Sequence, residues 1–187
     1  MRFCGLDLAT HPGRVMTPRP ASEALVSAAL EHLDGRPAVV ADVGTGSGAV
    51  AIGIAAGAPE ACVWATDTSP EAVALARENV RRHGLADRVH VLVGDLLDPM
   101  PGSVDLVVAN LPYLPAGEPD PDLAAEHAAA LYAPGDGLGP YRSLLDAAGA
   151  RLSTSGALIV QFRRRVHLAH RAELDALLPL LEDRAAA

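Results

Sequence analysis

Residues 38–56 read AVVADVGTGSGAVAIGIAA. A short apolar run, AVVADV (38–43), meets three glycines in alternation, Gly44, Gly46 and Gly48, and a second apolar run, VAIGIAA (50–56), follows at once. The first run predicts a buried strand, and the second suits a helix packed against a sheet. Glycine between them lets the backbone take positive φ and come close to a ligand. Strand, glycine loop and helix in this order begin an α/β fold with a parallel sheet covered on both faces. Ligands of such sheets bind at the carboxyl ends of the strands, near the point where strand order reverses.

Outward from this stretch the alternation continues. Further strands are predicted at CVWATD (62–67), VHVLVGD (89–95), VDLVVAN (104–110) and ALIVQF (157–162). Upstream, Ser22 is a candidate N-cap for a helix carrying Val26, Ala29, Leu30 and Leu33, with Gly35 as its stop. Ser69 and Pro70 open a helix that turns Val73, Ala76 and Val80 inward and ends at Gly84. Pro140 opens another, with Leu144, Leu145, Ala148 and Leu152 on one face. A last helix is expected over 168–182, with Leu174, Leu177, Leu178 and Leu181, and Pro179 bending or ending it. The first 20 residues read as irregular. Residues 114–139, rich in Pro, Gly, Ala and acid, read as a lid or binding loop.

The 187 residues suit one domain, divided into an N-terminal segment and helix (1–37), a core (38–162) and a C-terminal helix (163–187). Half the residues are hydrophobic but only six are aromatic, so the core is built from Ala, Val and Leu. The net charge of −8 makes a poor non-specific binder of phosphate backbones, which lowers nucleic acid among the partners. Cys4 and Cys62 read as free thiols in a reducing cytosol. The sequence shows no apolar leader and no membrane-length run, so a soluble cytoplasmic protein without membrane attachment is expected.

The glycine loop by itself leaves alternatives open. Gly44, Gly46 and Ala49 fit the G-x-G-x-x-A of dinucleotide-binding enzymes, with Asp67 near the spacing of a ribose-binding acid, and a plain tight turn is the simplest account. Three acids favour a different ligand. Asp42 lies two residues before Gly44, Asp67 ends the second core strand, and Asp95 ends the third in GDLL. A ligand with ribose hydroxyls, an adenine amine and a cationic amino-acid tail uses all three. Asp67 would accept from the ribose, Asp95 and its neighbouring backbone would meet the adenine, and the loop near Asp42 would hold the tail. Thr45, Thr68 and Leu96 adjoin these positions and belong to the same candidate cofactor site, together with Asn110.

The fourth core strand runs into VVANLPYLP (107–115). DVGTGSGAVAI, the acid at Asp67, GDLL and this terminal Asn together resemble the class I S-adenosylmethionine-dependent methyltransferases, over about residues 38–162. NLPY resembles the (N/D)-P-P-Y motif of members that modify planar amide or amine nitrogens. It also resembles the motif of the ribosomal RNA adenine dimethyltransferases, so the tetrapeptide leaves the acceptor open. The chemistry fits the motif. An amide nitrogen has a delocalised lone pair, and two acceptors on its N–H groups aim that pair at the methyl donor and stabilise the charge that develops. The Asn110 side-chain oxygen and the Leu111 carbonyl would be that pair, Pro112 would stiffen the loop, and the Tyr113 ring would pack on the planar group.

Two flanking segments, MTPRPASEALV (16–26) and DGLGPYRSLLDAA (136–148), are similar to the PRP-x-[ST]-E and DGL-x-x-YR-x-L segments of the HemK-like protein-glutamine N5-methyltransferases. The chain departs from that pattern with Leu111 in place of Pro and Gln161 in place of Glu, and with fewer than 20 residues where the release-factor enzymes carry a helical recognition domain. The fold normally adds two strands after the fifth, and none is read after Glu182. ALIVQF would then be an exposed edge, open to a partner or a homodimer. Arg163, Arg164 and Arg165 read as a solvated charge run, and His167 and His170 as surface-helix residues with no metal site.

The expectation is therefore a Rossmann-like class I methyltransferase sheet, mostly parallel and lacking its last two strands. It would transfer methyl from S-adenosylmethionine to an amide or amine nitrogen, foremost a glutamine side chain in a protein. Asn110, Pro112 and Tyr113 are the catalytic candidates; Asp42, Gly44, Thr45, Gly46, Gly48, Asp67, Thr68, Asp95, Leu96 and Asn110 are the cofactor candidates. The alternatives are a small-metabolite or nucleic-acid adenine acceptor, a non-catalytic relative acting through the fifth-strand edge, and a nicotinamide-dependent oxidoreductase.

Overall fold

A computed structural model describes residues 1–115, 128–163 and 165–185. In chain order, a small hairpin of β1 (Arg2–Phe3) and β2 (Leu6–Asp7) leads to α1 (Glu23–Leu33) and β3 (Ala38–Val43). Then come α2 (Ala49–Gly57), β4 (Ala61–Asp67), α3 (Pro70–Arg82), β5 (Val89–Val93) and β6 (Val104–Ala109). Short strands β7 (Leu114–Pro115) and β8 (Tyr132–Ala133) pair with each other, and α4 (Gly139–Arg151), β9 (Leu152–Phe162), β10 (Arg165–His170) and α5 (Leu174–Ala185) complete the chain.

Six strands form the central sheet in the order β10-β9-β6-β3-β4-β5. All neighbours are parallel except β10, which runs antiparallel to β9. The chain steps one way from β3 through β4 to β5, then returns to the other side of β3 as β6. Strand order therefore reverses between β3 and β6, and a crevice opens over their carboxyl ends. Successive side chains of each strand go to opposite faces. Val40, Val63, Leu106 and Ile159 pack under α1, α2 and α3. Ala41, Val43, Val107, Leu158 and Val160 pack under α4 and α5. Both faces are thus closed, which is why the strands read as unbroken apolar runs.

Local signals hold where they were strongest. The Ser69 hydroxyl caps α3 by accepting from the Ala72 N–H at 3.2 Å, with Pro70 in the first turn. Asp34 in the left-handed region, followed by Gly35 at φ +70°, ends α1. No helix among the described residues is long and apolar enough to cross a membrane.

Four expectations are corrected or narrowed. The helix expected from residue 168 begins at Leu174, because Arg165–His170 is a strand. His167 and His170 therefore lie on β10. Strand β9, which contains ALIVQF, is paired on both sides, with β6 and with β10, so it is not an open edge and offers no edge for a homodimer; β10 is the antiparallel neighbour of the fifth core strand that the expected sheet lacked. The physical cause is the unpaired backbone of β9, which a hairpin turning at Arg163 (φ +55°) satisfies at once. Pro179, expected to bend or end the last helix, does not end it: it lies inside α5, which continues to Ala185. The first 20 residues are not irregular throughout. They begin with the β1–β2 hairpin, in which Phe3 is buried; after it Leu8 and Val15 are buried, and Asn79 of α3 holds Ala9 by both its N–H and its carbonyl. Of the lid expected over 114–139, residues 116–127 lie outside the described residues, as does Arg164.

Candidate active site

The glycine loop is shaped by its own chain. Gly44, Gly46 and Gly48 take φ of +70°, +55° and +82°, a region that L side chains rarely adopt. A side chain on Gly44 would also meet the Leu111 side chain, so loop and acceptor motif touch. Asp42 is 2% exposed and faces inward. Its Oδ2 accepts from the Thr45 hydroxyl at 2.6 Å and from the Ala51 N–H at 3.1 Å, pinning loop to helix α2. Burial pushes its carboxyl up to about 6, against the opposing pull of those two hydrogen bonds.

A cleft of about 530 Å³ opens over the carboxyl ends of β3, β4 and β6, within the roughly 300–1,000 Å³ usual for small-molecule sites. Gly44, Gly46, Asp67, Thr68, Asp95, Leu96 and Asn110 line it. Asp67 accepts from the Gly46 N–H and the Ser69 N–H, each at 2.9 Å, one on each oxygen. A carboxylate has about four lone-pair sites, so each oxygen keeps capacity for a ligand hydroxyl. Leu96 sits at φ +44°, with its carbonyl accepting from Thr66 Oγ1 at 2.7 Å. Asp42, Thr45 and Gly48 do not line the cleft. Asp42 and Thr45 support the loop from below, and Gly48 lets α2 approach Ala76 of α3, where a Cβ would come within 3.1 Å.

A second cavity of about 220 Å³ adjoins the first, and the two share Met16, Asn110, Leu111, Pro112 and Ala130 as a common wall. Tyr113, Ser22 and Gln161 face the second cavity. Asn110 Nδ2 donates to Ser22 Oγ at 3.2 Å, which turns its Oδ1 away from Ser22. Ser22, expected as a helix cap, makes no capping bond and serves Asn110 instead. The Tyr113 ring lies 5.1 Å from that of Phe162. Tyr141 is buried, and its hydroxyl reaches the carbonyls of Leu111 and Gln161.

Sequence reasoning missed several of these residues. Arg14, Val15 and Met16 line the large cleft from the N-terminal segment, and an Arg14–Glu71 ion pair ties that segment to α3. Their sequence carries no period, and the one cue was their position just ahead of PRP. Tyr141 belongs to the DGL-x-x-YR segment, whose pattern alone gives its side chain no role.

The arrangement offers an acid-rimmed cleft with a glycine floor and a smaller slot beside it, the two divided by a shared wall that includes Asn110. The family described as "Methyltransferase small domain" matches residues 19–130. A release factor glutamine methyltransferase of Moorella thermoacetica is 44% identical over 165 residues, covering 85% of this chain and 58% of the relative. Another of that name, from Deinococcus radiodurans, is 44% identical over 161 residues, covering 83% and 57%. The chain thus spans little more than half the length of these relatives. Among solved structures, a 16S rRNA methyltransferase of T. thermophilus in complex with AdoMet and guanosine superposes with a TM-score of 0.63 at 20% identity, covering 86% of this chain and 40% of that one. That likeness bears on the fold.

Proposed function

Because the chain belongs to the methyltransferase small domain family, we propose that it transfers a methyl group from S-adenosylmethionine to the side-chain nitrogen of a glutamine in a protein, a release factor foremost, in the cytoplasm. The observation that carries this reading is Asn110. Its amide is oriented by Ser22 and stands in the wall between the large cleft and the smaller slot. The names of the relatives supply the acceptor class.

The large cleft fits the cofactor. Asp67 retains lone pairs for ribose hydroxyls, the Gly44–Gly46 backbone allows close approach, and Asp95 with the Leu96 backbone borders the remaining wall. Bound S-adenosylmethionine supplies an electrophilic methyl on a sulfonium that departs as a neutral thioether. The chain's part is positioning. Asn110 Oδ1 accepts one N–H of the acceptor amide, and the Leu111 carbonyl accepts the other. Both stabilise the positive charge that grows on nitrogen as the methyl bond forms. Tyr113, braced by Phe162, flanks the planar group, and Pro112 keeps the turn stiff. The surplus proton leaves to solvent from an acidic, methylated nitrogen, so no strong base is required. Holding donor and acceptor in line supplies much of the rate.

The test is calorimetry with S-adenosylmethionine, with NAD as control, followed by labelled-methyl transfer to a bacterial release factor and to ribosomal RNA. Binding of the first ligand alone, and glutamine methylation that disappears in Asn110→Ala, is the expected result. Label in RNA, or NAD binding, refutes the proposal.

A further inference from the structure

The peptide group joining Leu111 to Pro112 has no N–H, because proline lacks one. Its carbonyl is therefore the one hydrogen-bonding handle by which the fold can set the tilt of that peptide plane. The donor is Tyr141. Its hydroxyl lies 3.1 Å from the Leu111 carbonyl oxygen and 2.7 Å from that of Gln161. A phenol has one proton to donate, so the two carbonyls share it and the nearer one, on Gln161, takes the larger part. The ring is 1% exposed and stands edge-on to Phe162, with centroids 5.5 Å apart and planes at 88°, which leaves the hydroxyl little freedom. Desolvation drives its pKa far above the ordinary tyrosine range, so the group stays a neutral donor.

We propose that Tyr141 is a positioning residue for methyl transfer: it sets the direction of the Leu111 carbonyl while leaving that oxygen capacity to accept an N–H of the acceptor amide. The inference rests on the glutamine reading. It also assigns a task to the start of α4, which otherwise lies outside the acceptor motif. A donor bound wholly to Leu111 would compete with the acceptor amide for the same oxygen. A donor anchored mainly on Gln161, in β9, steers the carbonyl without saturating it, since a carbonyl has a second lone pair. The end of β6, the end of β9 and the first turn of α4 meet at this hydroxyl.

Tyr141→Phe tests the idea, since it keeps the ring and its contact with Phe162. Two readouts are taken. The first is the carbonyl ¹³C resonance of Leu111 in leucine-labelled protein, which does not depend on any acceptor. It is expected to move upfield in the variant as the hydrogen bond is lost. The second is steady-state transfer to a release factor. There kcat is expected to fall by about ten- to a hundredfold, the scale of a misaligned reacting pair, with S-adenosylmethionine affinity within twofold of wild type. Phe162→Leu serves as the control that loosens the same packing while keeping the hydroxyl; because it also unbraces Tyr113, its readout is the Leu111 resonance, which is expected to stay in place. An unmoved Leu111 resonance in Tyr141→Phe overturns the proposal, as does an undiminished kcat or an equal shift of that resonance in the control. A moved resonance with no transfer by the wild-type chain refutes the glutamine reading, and the catalytic use of the bond with it.

Discussion

Asp42→Asn separates charge from shape beneath the glycine loop. The carboxyl is 2% exposed, and burial raises its pKa to about 6 from an ordinary value near 3.8, with the neighbouring Asp67 charge pushing the same way. In the unfolded chain the group ionises first. Between those two values the folded protein holds a proton that the unfolded chain has lost, so stability falls as pH rises through that window. Each pH unit is worth about 1.4 kcal/mol when the two states differ by a full proton, and the loss therefore levels off near 3 kcal/mol above pH 6. Asparagine keeps an oxygen for the Thr45 hydroxyl and the Ala51 N–H but does not titrate. Urea unfolding followed by circular dichroism at pH 4, 5, 6 and 7.5 measures the difference. The variant is expected to gain on the wild type steadily, from little at pH 4 to about 3 kcal/mol at pH 7.5. A difference that does not change with pH, or one that moves in the wild type's favour as pH rises, would refute the assignment of a desolvated carboxyl at this position.

Three other outcomes are expected. Asp67→Ala removes the acid at the rim of the large cleft and frees the Gly46 N–H, so S-adenosylmethionine affinity measured by calorimetry should fall by about a hundredfold, the scale of lost charge-assisted hydrogen bonds. Ser22→Ala leaves Asn110 without the acceptor that orients its amide; kcat for glutamine methylation should drop about tenfold, while Tm stays within a few degrees. Gly137 has φ +83°, and a Cβ there would overlap the Tyr113 carbonyl oxygen. Gly137→Ala should therefore cost at least about 2 kcal/mol and abolish transfer while cofactor binding, measured by calorimetry, persists.

The parallel core was legible because strands covered on both faces must be apolar throughout, and the glycine loop because three positive φ angles in alternation call for glycine. Asp67, Thr68, Asp95, Leu96, Asn110, Pro112 and Tyr113 could be placed at strand ends on the same logic, and the structure gathers them around two adjoining cavities. What could not be read depends on partners distant in sequence. RVHLAH becomes a strand because β9 presents an open backbone, and its own residues fit a helical spacing as well. Tyr141 gains its role from carbonyls 30 and 20 residues away. Asp42 reads as a ligand-facing acid until the packing of α2 shows which side of the loop it faces.

Asn79 has no exposed surface, and its side chain is held at both ends. Its oxygen accepts from the Ala9 N–H at 2.8 Å, and its nitrogen donates to the carbonyls of Ala9 and Ser47. One amide thus clasps the N-terminal segment, the glycine loop and α3 together. Solvent deuterium can reach the Ala9 amide when that clasp opens, and opening it also releases the carbonyl of Ser47 in the loop. A molecule that tightens the loop must slow isotope uptake at Ala9, although the two positions are 38 residues apart in the chain. The leading segment is in this sense a reporter on the cleft, read by its own exchange rate.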